Sequence, residues 1–198
     1  MLKEREKELK KQVIMETAFQ LFSNRPFEAV TVDEIAREVG CGKGTIYLYF
    51  KNKDHLLTCL ISQELGQLCQ DIKEQCLDND DLLSAIDNYL VLQFQFFRGY
   101  NHILSSWVRR RLQNKVREEW MEDILNKLRR KLEMAVAVFE RGQEEKQLIP
   151  VDSYELARLL ETIFQDATFP FVGEKNWDFA PERITSLMKL VLTRGILA

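Results

Sequence analysis

An all-α fold is predicted for this chain by three observations. Apolar residues recur at spacings of three and four along almost the whole length, the repeat that gathers them on one face of a helix. No stretch alternates apolar and polar residues in the β-branched pattern of a half-buried strand. Only four prolines and eight glycines interrupt 198 residues, 45% of them hydrophobic, which is enough to build a substantial core. Residues 1–54 read as short helices joined by tight turns, and residues 55–198 as long amphipathic helices, about nine helices in all.

The first eleven residues, MLKEREKELKK, mix cations with glutamates and read as a solvated helical extension carrying opposite-charge pairs. A basic arm touching a polyanion is the alternative, weakened by Glu4, Glu6 and Glu8. Val13, Ile14, Ala18, Leu21 and Phe22 then give an apolar stripe that ends at Asn24-Arg25-Pro26, with Phe27 and Val30 packing back onto it. Thr31 and Glu34 stand in the T-x-x-E spacing of a capping box, in which each side chain satisfies an orphan N–H at a helix start. Ile35, Ala36 and Val39 form the apolar face of that helix, and Gly40 closes it, since glycine tolerates a left-handed cap. Gly42-Lys43 opens a second short helix whose buried face is Ile46 and Phe50. Asn52 caps a third, with Asp54 in the first turn where the helix dipole favours negative charge.

Long helices follow. One runs from about Lys53 to Cys76 and stops at Asp78-Asn79-Asp80. The next, Leu82 to Arg98, is apolar on all sides, which means burial among several neighbours. Gly99-Tyr100-Asn101 is expected to break it, and a shorter helix carrying Trp107 and Arg109-Arg110-Arg111 comes after. Glu118 to Gln143 makes a further long helix. Asp152 and Glu155 start another in capping-box spacing, reaching Phe169. Phe169 to Trp177 reads as a loop, and Pro181 begins the last helix, ending near Leu197.

Helix, tight turn, helix over Thr31–Tyr49 is the geometry that lays a second helix in the major groove of DNA. At 100° per residue, with Ile46 and Phe50 inward, Gly44 and Leu48 point most directly outward, flanked by Thr45, Tyr47 and Tyr49. Lys43 sits at the helix start, where its long stem can swing outward. From Cys41 to Lys53 there are three lysines and no acid. Cations, hydroxyls and a glycine around a helix start suit phosphate oxygens, and Leu48 suits a thymine methyl. The same residues also describe an ordinary helical hairpin with a solvated basic face and two amphipathic tyrosines.

GCGKGTIYLYFKNKDHLL, residues 40–57, resembles the signature of the TetR/AcrR (tetracycline-repressor-like) family of bacterial regulators, and the resemblance extends back over about residues 8–60. It implies a DNA-binding domain over residues 1–54 and a ligand-binding and dimerisation domain over residues 55–198. It also implies that Thr31 contacts phosphate, that Lys43, Gly44, Thr45, Tyr47 and Tyr49 meet DNA, and that Lys53 holds the backbone from the next helix start. Leu48 lies where the family varies and would help choose the sequence. Cys41 departs from the usual aliphatic residue there, and packs equally well as a small hydrophobe.

The resemblance further implies a two-fold dimer through the last two helices, with Leu156, Leu160, Ile163, Phe164, Ile184, Leu187, Met188, Val191 and Leu192 at the interface. The alternative is that these residues finish the core. A dimer would set two reading helices about 34 Å apart on a palindromic operator, and a small-molecule effector that binds the splayed form better would shift the population off DNA. Phe94, Phe97, Tyr100, Trp107, Met134 and Phe139 are candidate pocket linings for an apolar or aromatic effector, acyl or drug-like; plain core packing is the alternative. No polar group stands out as its anchor. Arg109 to Arg111 face either solvent or an anionic ligand.

The net charge of −3 argues against a nucleic-acid partner only until it is divided. Residues 1–55 hold ten Lys/Arg against nine Asp/Glu, so the acidity lies in the remainder, and phosphate contacts are short-ranged under salt screening. Four cysteines read as reduced, packed thiols, with a redox sensor as the alternative. His55 and His102 are isolated, without the spacing of a metal site, and no cofactor is called for. An enzyme built on a helical bundle would need clustered acid–base or metal residues that the chain lacks, leaving a repressor first and an activator or co-regulator second. With no signal peptide and no membrane-spanning run, the expected location is the cytoplasm.

Overall fold

The computed structural model describes residues 2–168 together with 186, 187, 190 and 191. The loop expected from Phe169 and most of the last helix, with Ile184, Met188 and Leu192, lie outside the described residues. The elements are α1 (Leu2–Asn24), a 3-10 turn (Phe27–Ala29), α2 (Val32–Val39), α3 (Lys43–Tyr49), α4 (Lys53–Ile72) running into a π turn (Lys73–Leu77), α5 (Leu82–Leu112), a second 3-10 turn (Glu118–Trp120), α6 (Met121–Glu144) and α7 (Ser153–Thr168). All-α is therefore the fold class, and no described helix is long and apolar enough to cross a membrane.

The chain packs as two compact units. One holds Met1–Glu64 and His102–Ile124, the other Leu65–Asn101 and Leu125–Ala198, so α4 and α5 each contribute to both. In the first unit, Ile14, Met15, Ala18 and Phe22 of α1 are buried with Phe27, Val30, Ile35, Ala36, Ile46 and Phe50. The apolar stripe of α1 is turned one residue from the expected one: Met15 is inside and Val13 is 44% exposed. Residues 15, 18 and 22 share a face with Ile14, whereas Val13 leads the face that looks outward. In the second unit, the core is built from Leu65, Leu68 and Ile72 of α4, Leu82 to Phe97 of α5, Met134 to Phe139 of α6, and Ala157, Leu160 and Phe164 of α7.

Caps terminate these helices as side-chain chemistry dictates. Asn52 Oδ1 accepts from His55 N at 2.8 Å and Asp152 Oδ1 accepts from Glu155 N at 2.8 Å. Gly40 lies in the left-handed region at φ 70° and ψ 38°, with Cys41 N donating to Ala36 O at 2.9 Å.

The expected break at Gly99-Tyr100-Asn101 does not occur, and α5 runs unbroken through it. A glycine in a helix interior costs only about 1 kcal/mol, less than the burial of Phe96 and Phe97 before it and of Ile103 and Leu104 after it contributes. Glu118 begins a 3-10 turn, so α6 starts later than expected, at Met121.

Two helical glycines have opposite surroundings. A Cβ on Gly99 would meet nothing, whereas one on Gly142 would lie 2.6 Å from Leu82 Cδ2 and 2.7 Å from Leu148 Cδ1. Gly99→Ala is expected to stabilise the protein by up to about 1 kcal/mol and Gly142→Ala to destabilise it by about 1–3 kcal/mol, both read from urea denaturation. A neutral Gly142→Ala would mean that the two leucines repack freely.

Candidate nucleic-acid interface

The interface begins with the turn that sets α3 against α2. Thr31 adopts an extended backbone and its Oγ1 accepts from Glu34 N at 3.1 Å, which starts α2. Only half of the expected capping box forms. The Glu34 carboxylate does not return to Thr31 N but pairs with Arg25, whose other nitrogen donates to Ala29 O at 3.1 Å. The Arg25 guanidinium beside it holds the Glu34 carboxyl below its usual range. Gly42 then caps α3 with an extended backbone and no side-chain bond, leaving the start of the helix clear.

α3 has only seven residues. Ile46 and the following Phe50 are sunk in the core, and everything opposite them is outside. Leu48 is 80% exposed and Tyr47 47% exposed, Gly44 faces open space, and Thr45 and Tyr49 are half-buried on the flanks. The helix therefore presents an apolar tip, a phenol and a Cβ-free patch on one surface, and Thr31 is exposed at the start of α2. Cys41 is half-buried in the turn between them.

The three lysines are not free cations. Lys43 Nζ donates to Asp33 Oδ2 at 2.7 Å, and this partner raises the Lys43 pKa. Lys51 Nζ reaches Glu119 at 3.0 Å and lies 6.0 Å from the centre of the Trp120 ring. Both pairs are exposed and so contribute little to stability, and a phosphate can replace either acid.

Lys53 is a correction to the sequence-based assignment. Its ammonium turns inward, donating to Phe27 O at 2.6 Å and Val30 O at 2.7 Å, 4.1 Å from the centre of the Phe27 ring. Those two carbonyls belong to the 3-10 turn and its cap, and Phe27 O also accepts from Val30 N at 3.3 Å. Lys53 therefore ties α4 to the turn that leads into α2, rather than reaching outward from the start of its own helix. Burial, with the Arg110 guanidinium nearby, lowers its pKa.

Asp54 accepts from Arg110, with Nη2 to Oδ2 at 2.8 Å, and Trp107 Nε1 donates to Thr58 Oγ1 at 3.3 Å in the same unit. Arg110 is thus an ion-pair partner, whereas Arg109 and Arg111 are exposed, the latter over the Trp107 ring. His55 Nδ1 accepts from Lys51 N at 3.0 Å and the ring lies 4.7 Å from that of Trp120. Burial lowers its pKa, so the neutral ring is favoured. No group of three or more potential metal ligands occurs among the described residues. The Cys69 and Cys76 thiols are buried, and burial pushes Cys76 up to about 12, which suppresses the reactive thiolate.

The six candidate pocket residues are divided between the two units. Phe97, Met134 and Phe139 are buried in the second unit with Phe94 and Tyr100 half-buried, but Trp107 belongs to the core of the first. On α7, Leu160 and Phe164 are covered by the chain itself, Leu156 is half-buried, and the outward positions are Leu159 and Ile163. Leu160 and Phe164 thus serve the chain's own core rather than an outer face; Leu187 and Val191 are exposed. Sequence reasoning missed a buried polar group on three helices of the second unit, formed by Tyr89, Gln93, Lys131 and Glu161. Its one sequence signal is Tyr89 and Gln93 four apart on an otherwise apolar helix.

The inward turn of Lys53 yields a test. Lys53→Met removes the ammonium's bonds to both Phe27 O and Val30 O and should lower stability by about 1–3 kcal/mol, whereas Lys43→Ala should leave the unfolding midpoint essentially unchanged. Thermal and urea unfolding check both, and a Lys53→Met protein as stable as wild type would show that the clamp contributes nothing.

Comparison with known proteins agrees with this geometry. Residues 14–59 match the family described as bacterial regulatory proteins, tetR family. Over 92 residues the chain is 32% identical to the fatty acid metabolism regulator protein of Bacillus subtilis, covering 44% of this chain and 47% of that one. Over 97 residues it is 32% identical to the HTH-type transcriptional regulator YerO of the same organism, covering 48% and 34%. The chain thus spans half or less of the length of these relatives. The fold of regulator FadR from Bacillus subtilis, solved in complex with stearoyl-CoA, superimposes with a TM-score of 0.70 at 19% identity, over 93% of this chain and 98% of that one. A transcriptional regulator from Saccharomonospora viridis, solved with choline, gives 0.79 at 16% identity, over 95% and 97%. The likeness to the tetR family of bacterial regulatory proteins thus rests on residues 14–59, the segment that holds α2 and α3.

Proposed function

We propose that this protein is a ligand-responsive transcriptional regulator that binds a palindromic DNA operator as a homodimer and is released by a small apolar or aromatic effector. The outward face of α3 carries this reading. A two-turn helix that exposes Leu48 and Tyr47 and leaves Gly44 open has no purpose in the chain's own packing, and its width suits the major groove. Gly44 permits close approach to the backbone, Thr45, Tyr47 and Tyr49 supply hydroxyls, and Leu48 meets a thymine methyl. Lys43 exchanges Asp33 for a phosphate, and Thr31 adds a hydroxyl at the start of α2.

The division of labour follows the change of helix length, with residues 1–54 reading DNA and residues 55–198 binding effector and partner. Ile163 of α7, Leu187 and Val191 are exposed apolar residues that a second copy would cover. The fatty acid regulator among the relatives and the acyl-CoA in the FadR structure favour an effector with a long apolar part. Repression is the preferred sense, because a dimer seated on an operator blocks the site it covers.

Selection of duplexes from a random pool, at near-physiological salt, tests the reading. A palindrome should emerge, and Lys43→Ala or Tyr47→Ala should abolish its binding while the protein stays folded. Ile163→Glu should split the dimer in sedimentation and weaken operator binding with it. Sequence-blind binding by wild type, or unchanged binding by the Tyr47 variant, would retire α3 as the reading helix.

A further inference from the structure

The second unit contains a closed polar ring inside an apolar bundle. Lys131 Nζ lies 2.6 Å from Glu161 Oε2 and donates to Gln93 Oε1 at 3.0 Å. Gln93 Nε2 donates to both the Tyr89 hydroxyl and Glu161 Oε1 at 2.7 Å, and the Tyr89 hydroxyl donates to Glu161. Tyr89 and Gln93 come from α5, Lys131 from α6 and Glu161 from α7. Phe97, whose ring centre is 5.8 Å from Lys131 Nζ, stands beside the ring of residues and stacks on Phe164 at 6.4 Å.

Holding helices together does not explain this arrangement. A buried ion pair is generally no more stabilising than well-packed apolar residues of the same volume, because desolvation offsets the attraction. The geometry instead has the form of a receptor. A phenol, an amide and an ammonium all aim their donors at one carboxylate, that of Glu161. The two charges also differ in access: the Lys131 side chain is 3% exposed and that of Glu161 is 12% exposed. Glu161 thus lies nearer to solvent than Lys131. If Glu161 leaves, a buried ammonium is stranded unless another anion takes its place.

We propose that Tyr89, Gln93 and Lys131 form the polar anchor of the effector, that Glu161 occupies it in the free protein, and that the ligand is an amphiphile with a carboxylate head and an apolar part lying against Phe97 and Phe164. This rests on the reading of the chain as an effector-responsive regulator and specifies the chemistry of that effector.

Titration calorimetry on the full chain, stripped of bound small molecules, tests the anchor with octanoate, palmitate and benzoate against octanol and octyltrimethylammonium. At least one carboxylate should bind, and octanoate should bind more tightly than octanol. Glu161→Gln removes the internal competitor and keeps an oxygen for Tyr89 and Gln93, so carboxylate affinity should rise about ten-fold. Lys131→Met with Glu161→Gln removes both charges, which keeps the core foldable, and should erase the preference for octanoate over octanol. Absence of carboxylate binding by the Glu161→Gln protein, preference for the ammonium, or a preference that survives loss of Lys131 would each overturn the anchor. Operator binding measured separately distinguishes the two readings. Lys131-dependent carboxylate binding that leaves the operator complex intact keeps the anchor and removes the effector response. Operator binding by a chain that takes up no carboxylate does the reverse.

Discussion

A helix of seven residues cannot hold itself together. Its few internal hydrogen bonds do not offset the cost of nucleation, and in water such a segment is mostly unwound. α3 exists because Ile46 and Phe50 are buried against the first unit's core, and its position is set by the Gly40 turn and by the caps of the helices on either side. The proposed reading surface is the reverse side of that burial. Whatever fixes Ile46 and Phe50 also fixes the direction in which Gly44, Tyr47 and Leu48 point, so the packing of one face determines the chemistry offered by the other.

Electrostatics around α3 follow the same economy of partners. Arg25, just after α1, and Lys53, at the start of α4, each donate to carbonyls of the short turn at Phe27–Ala29 or its cap. They hold that turn while Lys43 and Lys51 stay at the surface in weak ion pairs. The half-buried cation is structural and the exposed ones are exchangeable, a distinction that burial makes and charge alone does not. A chain with a net charge of −3 can thus still offer cations to a polyanion, since the acids that face them are exposed, weakly held partners.

The second unit reverses the relation. Its interior is apolar along most of α5, α6 and α7, yet encloses a lysine, a glutamate, a glutamine and a tyrosine that satisfy one another. Complete satisfaction is what makes the group tolerable in a low-dielectric setting. It also makes the group responsive, since displacement of one member leaves the others requiring a replacement. Burial and the adjacent Glu161 charge raise the Tyr89 pKa well above its ordinary value, so the phenol remains a donor.

Much of this was legible in the chain. The T-x-x-E and Asn52 caps, the Gly40 turn and the inward pair Ile46 and Phe50 depend on neighbours within four residues, and local geometry is enough to read them. The outward face of α3 follows from the same periodicity. Tertiary structure decided what depends on distant partners. Glu34 turned to Arg25 instead of closing its capping box, Lys53 turned to carbonyls 26 and 23 residues away, and packing carried α5 across Gly99 where local propensity predicted a break. Lys131 and Glu161 carry no mark of their pairing in the sequence, because the amphipathic helices that hold them give no sign of each other. Spacing along one helix reports which residues share a face, but only the fold determines what that face meets.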